Sequence, residues 1–451
     1  MNVRVKLLNN KPIRPLAKYV LYWAQMNRRV ESNHALAHAV ELANQLQLPV
    51  LFYEGLTYDY PYANDRFHTF ILEGVPHTEK RCQKLGLGYF FYLRKDSESS
   101  NDMLYRLAAD AAAVVTDDYP VFIAIRHNRS VPARLDIPYY AVDSSCIVPM
   151  NMFDKREYAA YTIRPKINRV LNEYLKPVDK WKANVPFRQP LPQGHGAGPA
   201  AECAIDHSVP ASVSFRGGRS AAEKQLEEFL LENLRRYPRE SNKPSGRATS
   251  GLSPYIHFGH ISSLEVALAV KEYAAEYKLV ADEFLEQLIV RRELAFNFAR
   301  HSPNPESIDN LPQWALNTLG KHASDIRSPL YTREQFEQAA THDELWNASQ
   351  KELLLTGKTH GYYRMYWGKK IIEWSRTVEE ALATMIYLHD RFALDGRDPN
   401  TYTNILWCFG LHDRPWAERA IFGMVRYLSL DGMKRKTDVQ EYIRQIEELG
   451  I

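Results

Sequence analysis

Five short runs rich in β-branched and aromatic residues punctuate the first third of the chain, at 19–23, 49–53, 89–93, 113–116 and 139–142. Each is continuously apolar rather than alternating, which is the pattern of a strand buried on both faces. Helix-like stretches such as 33–46 separate them, so the spacing predicts an α/β domain built on a doubly wound parallel sheet. No GxGxxG follows the first run, so no dinucleotide is indicated there. From Ala221 onward the period changes. Apolar residues recur at three and four through 222–234, 261–277, 282–299, 332–340, 362–375, 378–393 and 439–448, predicting an all-α second domain.

At 451 residues the chain is too long for one ordinary core. Residues 175–219 turn rich in Pro, Gly and Ala, a linker composition. The expected division is an α/β domain over 1–165, a linker over 166–219 and a helical domain over 220–451. With 45% hydrophobic and 25% charged residues and no span-length apolar run, the composition is that of a soluble protein, expected to be monomeric. Arg4, Lys6, Lys11, Arg14, Lys18, Arg28 and Arg29 make the start basic. It lacks Ser and runs into the apolar stretch at Tyr19, so it reads as a basic arm rather than a transit peptide. Cys82, Cys146, Cys203 and Cys408 are scattered without a CxxC pair, which supports neither disulfides nor a metal site and suits a reducing cytoplasm.

Three segments carry candidate chemistry. In 247–262, Thr249, Ser250 and Ser253 offer hydroxyls, Gly251 admits close backbone approach and Pro254 can open a helix, which together suit a diphosphate cradle or, equally, a capped helix start. In 346–374, Trp367 and Trp374 lie seven apart, hence on one helix face about 10 Å apart along the axis, spaced for an electron relay or for an aromatic core stripe. In 394–416, acids, amides and aromatics crowd between helices, suiting a polar heterocycle or a loop of Asx turns. The net charge of +3 proves no polyanionic partner, but Arg414, Arg419, Arg426, Lys434, Arg435, Lys436 and Arg444 gather cations near the end.

In order along the chain, YAAYTIRPK, LSPYIHFGHIS, LWNASQ through TGKTHGYYRMYWGKKIIEWS, LDGRDPN and GMKRKTDV resemble the class II cyclobutane pyrimidine dimer photolyases. The resemblance implies a helical domain that holds FAD, whose reduced form, excited by blue light, donates an electron to a pyrimidine dimer in DNA. It assigns Thr249, Ser250, Gly251, Leu252 and Ser253, with Tyr237, to the FAD phosphates, and Arg364 and Asp395 to an ion pair beside the flavin ring. Trp367, Trp374 and Trp346 match the tryptophan chain that reduces the flavin. Trp407, Met365 and Asn297 fall at the catalytic pocket, Arg414 at the gap left by the flipped dimer, and Lys434, Arg435 and Lys436 on phosphates. A second, antenna chromophore of deazaflavin or folate type is implied in the α/β domain, with no motif to identify it.

Several positions depart from the family pattern where flavin meets substrate. Gln287 replaces a carboxylate expected to bond the dimer, and Phe296 replaces a second acid. His389 replaces the Asn that faces flavin N5, placing there a ring expected to exchange protons near neutral pH. Leu430 stands where an aromatic is common. The sequence therefore admits a dimer photolyase, a flavoenzyme turned to a small-molecule substrate, a cryptochrome-like light sensor, or a flavin-free helical DNA-binding module.

Overall fold

The computed structural model describes residues 2–194 and 196–450. Six strands, β1 (Val5–Leu7), β2 (Tyr19–Trp23), β3 (Val50–Thr57), β4 (Gly88–Arg94), β5 (Ala111–Asp117) and β6 (Tyr139–Val142), form one sheet in the order β1-β6-β5-β2-β3-β4. The five expected strands pair in parallel. β2 and β5 are buried along their whole length, which is why their sequences read as unbroken apolar runs. Strand order reverses between β2 and β5, the crevice where open α/β sheets take ligands. Here the Asp117 carboxylate accepts from the backbone N–H groups of Gln25, Met26 and Asn27 at 2.8–3.0 Å.

The basic start is not a free arm. Val5, Lys6 and Leu7 add an antiparallel edge strand to β6. Arg4 is buried and donates to the carbonyl oxygens of Asp143, Cys146 and Ile147, while Arg29 does the same for Ser144 and Gly259. These cations satisfy backbone carbonyls, a use that composition cannot reveal.

Among the described residues of 175–218 there is no strand, and one short 3-10 turn at Ala200–Glu202. Their backbone bonds to Gly86, Phe91, Lys95 and Ala63, laying the segment along the open edge at β4. This covers donors and acceptors that would otherwise invite another chain. The helix Ala160–Tyr174 runs through residue 165 without a break.

The helical region follows the expected periodicity, with two differences. The stretch expected as one helix over 282–299 is Asp282–Leu285, a π-helical turn at Glu286–Arg291, then Arg292–His301. The crowded segment after Asp395 is largely the helix Pro399–Trp407, capped by Asp398 and opened by its proline. Among the described residues, no helix is long and apolar enough to cross a membrane.

Arg66 joins the two parts. It is buried and donates to the carbonyl oxygens of Leu353 and Phe392 at 3.0 and 2.8 Å, and to those of Leu354 and Pro210. It thus caps two helix ends with one cation. One apolar cluster also runs from β2 and β3 through Phe67 and Phe70 into Tyr255, Phe258 and Leu264. Close packing there needs Gly259: its φ is +70°, and a Cβ would lie 1.9 Å from the Met26 carbonyl oxygen. Gly259→Ala is expected to cost about 2–4 kcal/mol in urea unfolding, from left-handed backbone strain plus overpacking. A loss below about 1 kcal/mol would contradict this contact.

Candidate active site

A cavity of about 1020 Å³ lies wholly within the helical region, walled by residues between Tyr237 and Arg426. Eight residues that the resemblance places at the site line it, Tyr237, Thr249, Gln287, Arg364, Met365, Trp367, His389 and Trp407, together with Arg426 of the late cationic group. The π-helical turn brings Gln287 and Arg291 to the wall, a local rewinding often found at functional sites.

Asp395 organises one side from behind the wall. Its carboxylate accepts from Ser253 Oγ at 2.7 Å, Arg364 Nη2 at 3.2 Å and Lys358 Nζ at 3.2 Å, and Lys358 also reaches Ser253 Oγ at 2.5 Å. Burial alone would raise its carboxyl pKa, but Arg364 and Lys358 outweigh that and hold it well below the usual range. The Arg364–Asp395 pair was legible in the sequence through the resemblance; the part played by Lys358, six residues before Arg364, was not. Ser250 and Leu252 sit deeper: the Ser250 carbonyl accepts from Gln225 Nε2, and the Leu252 side chain belongs to the core. Gly251 has φ +66°, the left-handed conformation a glycine permits.

Three buried polar atoms of wall residues, His360 Nε2, Arg364 Nε and His389 Nδ1, lack a hydrogen-bond partner among the described residues. Burial, then the nearby Arg364, pushes the His389 imidazole down to about 3, and burial with Lys358 lowers His360 to about 4. Both rings are therefore neutral at pH 7. The expectation that His389 exchanges protons near neutral pH is corrected: a desolvated ring beside a guanidinium does not charge there.

The tryptophans form a stack. Trp367, in the cavity wall, lies parallel to Trp346, with centroids 6.3 Å apart and 5° between planes, and Trp346 meets Trp374 at 6.2 Å. All three are buried. Trp346, from the neighbouring helix Glu344–Thr356, closes the gap along the helix that Trp367 and Trp374 share, so the three rings are contiguous.

Two expected site residues lie elsewhere. Phe296 is fully buried among Met26, Tyr119, Val121 and Tyr402, with the Arg292 guanidinium 4.4 Å over its ring, so it fills the junction between the two parts. Asn297 accepts from Glu157 N at 2.7 Å and donates to the Lys155 carbonyl at 3.0 Å, which commits both ends of its amide to backbone. The turn of a helix that faces the α/β domain cannot also face the cavity, and the π-helical turn just before it sets that rotation.

Near the cavity mouth, Arg426 stands 5.4 Å over Trp407 and 4.2 Å over Trp416, and Arg414 stands 4.9 Å over Trp416. Asp413 pairs with Arg426 at 3.0 Å. Lys434, Arg435 and Lys436 are exposed on the last turn of the helix Leu430–Lys436 and form no ion pair among the described residues. Leu430 opens that helix with its side chain against the core.

Because the buried His389 ring stays neutral while its unfolded counterpart, with an ordinary value of 6.5, takes a proton, stability is present above pH 6.5 and falls as pH drops toward 3. His389→Asn is expected to lose about 2 kcal/mol less than the unsubstituted protein between pH 7 and pH 5 in urea titrations. Equal losses would place a charged ring in the folded state.

A family model described as DNA photolyase matches residues 20–186. Over 451 aligned residues the chain is 42% identical to the deoxyribodipyrimidine photo-lyase of Methanothermobacter thermautotrophicus, covering 99% of this chain and 98% of that one. It is 38% identical to the protein of the same name from Oryza sativa subsp. japonica, covering 96% and 88%. In fold it is similar to a bacterial class III photolyase from Agrobacterium tumefaciens, with a TM-score of 0.72 at 17% identity, covering 96% of this chain and 87% of that one. A sheet of this order, a helical region with this cavity and a full-length relative at this identity lead to one conclusion: the chain belongs to the DNA photolyase family.

Proposed function

We propose that the chain is a light-driven DNA repair enzyme that splits cyclobutane pyrimidine dimers, with FAD held in the helical cavity. The observation that carries this is Trp367, which is at once a wall of the cavity and the inner member of a buried indole stack. The residues fit the cofactor. A volume of about 1020 Å³ is at the upper end of ligand pockets and suits a dinucleotide, and the unpartnered atoms of His360, Arg364 and His389 are groups that a polar ligand would satisfy. Thr249, Ser253 and the 249–253 backbone, with Tyr237, would hold its phosphates. When bound, the flavin supplies a light-absorbing ring that exchanges single electrons.

The chain's own groups then have distinct tasks. Arg364, pinned by Asp395, offers fixed positive charge to a ring that becomes negative on reduction. Neutral His389 offers hydrogen bonding without a charge of its own. Trp367, Trp346 and Trp374 pass electrons inward. Met365 and Trp407 would form an apolar floor for a flipped pyrimidine dimer, and the Gln287 amide can donate and accept toward base edges but carries no charge. Arg414, Lys434, Arg435 and Lys436 would meet phosphates. The motif set from LSPYIHFGHIS to GMKRKTDV points to class II within the family. A second reading, a flavoenzyme acting on a small molecule, is favoured by Gln287, which removes a charge expected where substrate meets flavin.

The test is illumination of the reduced protein with dimer-containing DNA. Blue light is expected to remove dimers and darkness to leave them. Binding should weaken with salt, and Arg414→Ala should lower the slope of log affinity against log salt by about one. A flavin-bearing protein that neither binds nor repairs dimer DNA would turn the assignment to the small-molecule reading.

A further inference from the structure

Two indoles face the cavity, yet their surroundings are opposite. Trp367 stacks on Trp346 and donates its Nε1–H to the Gln350 amide oxygen at 2.9 Å. Trp407 stacks on no ring among the described residues but has two cations against it: Lys369 Nζ 5.1 Å and the Arg426 guanidinium 5.4 Å from its centroid. The charge of Arg426 is largely compensated by Asp413, at 3.0 and 3.2 Å. That of Lys369 meets no carboxylate in ion-pair contact among the described residues, only the more distant Asp413. Its side chain is fully buried and donates to the Cys408 carbonyl oxygen. The neighbouring Cys408 thiol supplies no counter-charge, since burial raises it to about 11. Burial lowers the ammonium itself to about 8, so it remains charged at pH 7.

An unpaired ammonium in a dry interior is expensive, and a carbonyl cap at a helix end needs only a neutral donor. We propose that Lys369, aided by Arg426, keeps Trp407 from being oxidised, so that an electron demanded in the cavity comes from Trp367. A cation beside a ring opposes the positive charge that oxidation would place there, and it does so strongly where water is excluded. On the other indole, the Gln350 oxygen favours that charge. The steps balance without any bond made or broken. One electron leaves Trp367 and reduces the photoexcited flavin by one electron; Trp346 refills Trp367 and Trp374 refills Trp346, so the hole moves outward. Lys370 stands 5.5 Å over Trp374, but Glu373 at 2.6 Å compensates it, so the outer end of the relay is not blocked. Lys369 is thus a positioning charge for the electron path, and the inference rests on the flavin reading above.

The test uses the oxidised holoprotein and the lifetime of its excited flavin. Trp367→Phe is expected to lengthen that lifetime, because Trp407 does not take over as donor. Adding Lys369→Gln, which keeps a donor for the Cys408 carbonyl but removes the charge, should shorten it again by about tenfold. Adding Trp407→Phe to that pair should restore the long value, and Lys369→Arg in place of Lys369→Gln should leave it long. A lifetime unchanged by Lys369→Gln, in protein that retains its flavin, overturns the inference alone. Should Lys369→Gln not fold, Lys369→Met gives the same reading without charge. A purified protein that carries no flavin overturns the flavin reading and the inference together.

Discussion

The turn from Asp395 to Asp398 holds the molecule together and sets its site. Asp395 gathers Ser253, Lys358 and Arg364 behind the cavity wall. Three residues later Asp398 accepts from Tyr119 of the α/β domain at 2.6 Å and from His257 Nδ1 at 3.1 Å, and caps the helix Pro399–Trp407. Between them Arg397 is buried with its guanidinium 3.4 Å over the Phe67 ring. Gly396 lets the turn lie against the end of the preceding helix, since a Cβ there would meet the His389 carbonyl oxygen at 2.7 Å. Hydrogen bonds to charged groups inside a protein are each worth about 1.5–3 kcal/mol, and losing one partner strands the other. The domain junction and the cavity therefore cannot vary independently.

Electrostatics within the site follows from that arrangement. Asp395 compensates the charges of Arg364 and Lys358, and burial, together with these cations, keeps the rings of His360 and His389 neutral. The histidines therefore contribute hydrogen-bonding capacity only. The two indoles of the lining divide between a neutral, stacked environment and a cationic one. A cavity with one electron-rich exit and one guarded indole is suited to directional single-electron chemistry, which accords with membership of the photolyase family.

Much of this was legible in the residues. The apolar runs at 19–23 and 113–116 announced central strands because parallel strands are buried on both faces. The glycines, prolines and hydroxyls of 249–259, and the aromatic spacing of 346–374, marked the segments that do line or back the cavity. What failed to read did so for geometric reasons. Phe296 and Asn297 follow the π-helical turn at Glu286–Arg291, which rotates the rest of the helix toward the α/β domain. Lys358 and Lys369 did not stand out in the sequence, since nothing local betrays that one meets a carboxylate 37 residues away and the other is sealed beside an indole.

The sequence by itself determined the two kinds of architecture, the family and the residues able to do chemistry, because periodicity, capping and motif order are local properties. Only the tertiary structure decided which of those residues share a cavity, which histidines stay neutral and which indole is guarded. Burial, desolvation and the distance between charges are set by segments far apart in the chain, and they govern how each side chain behaves.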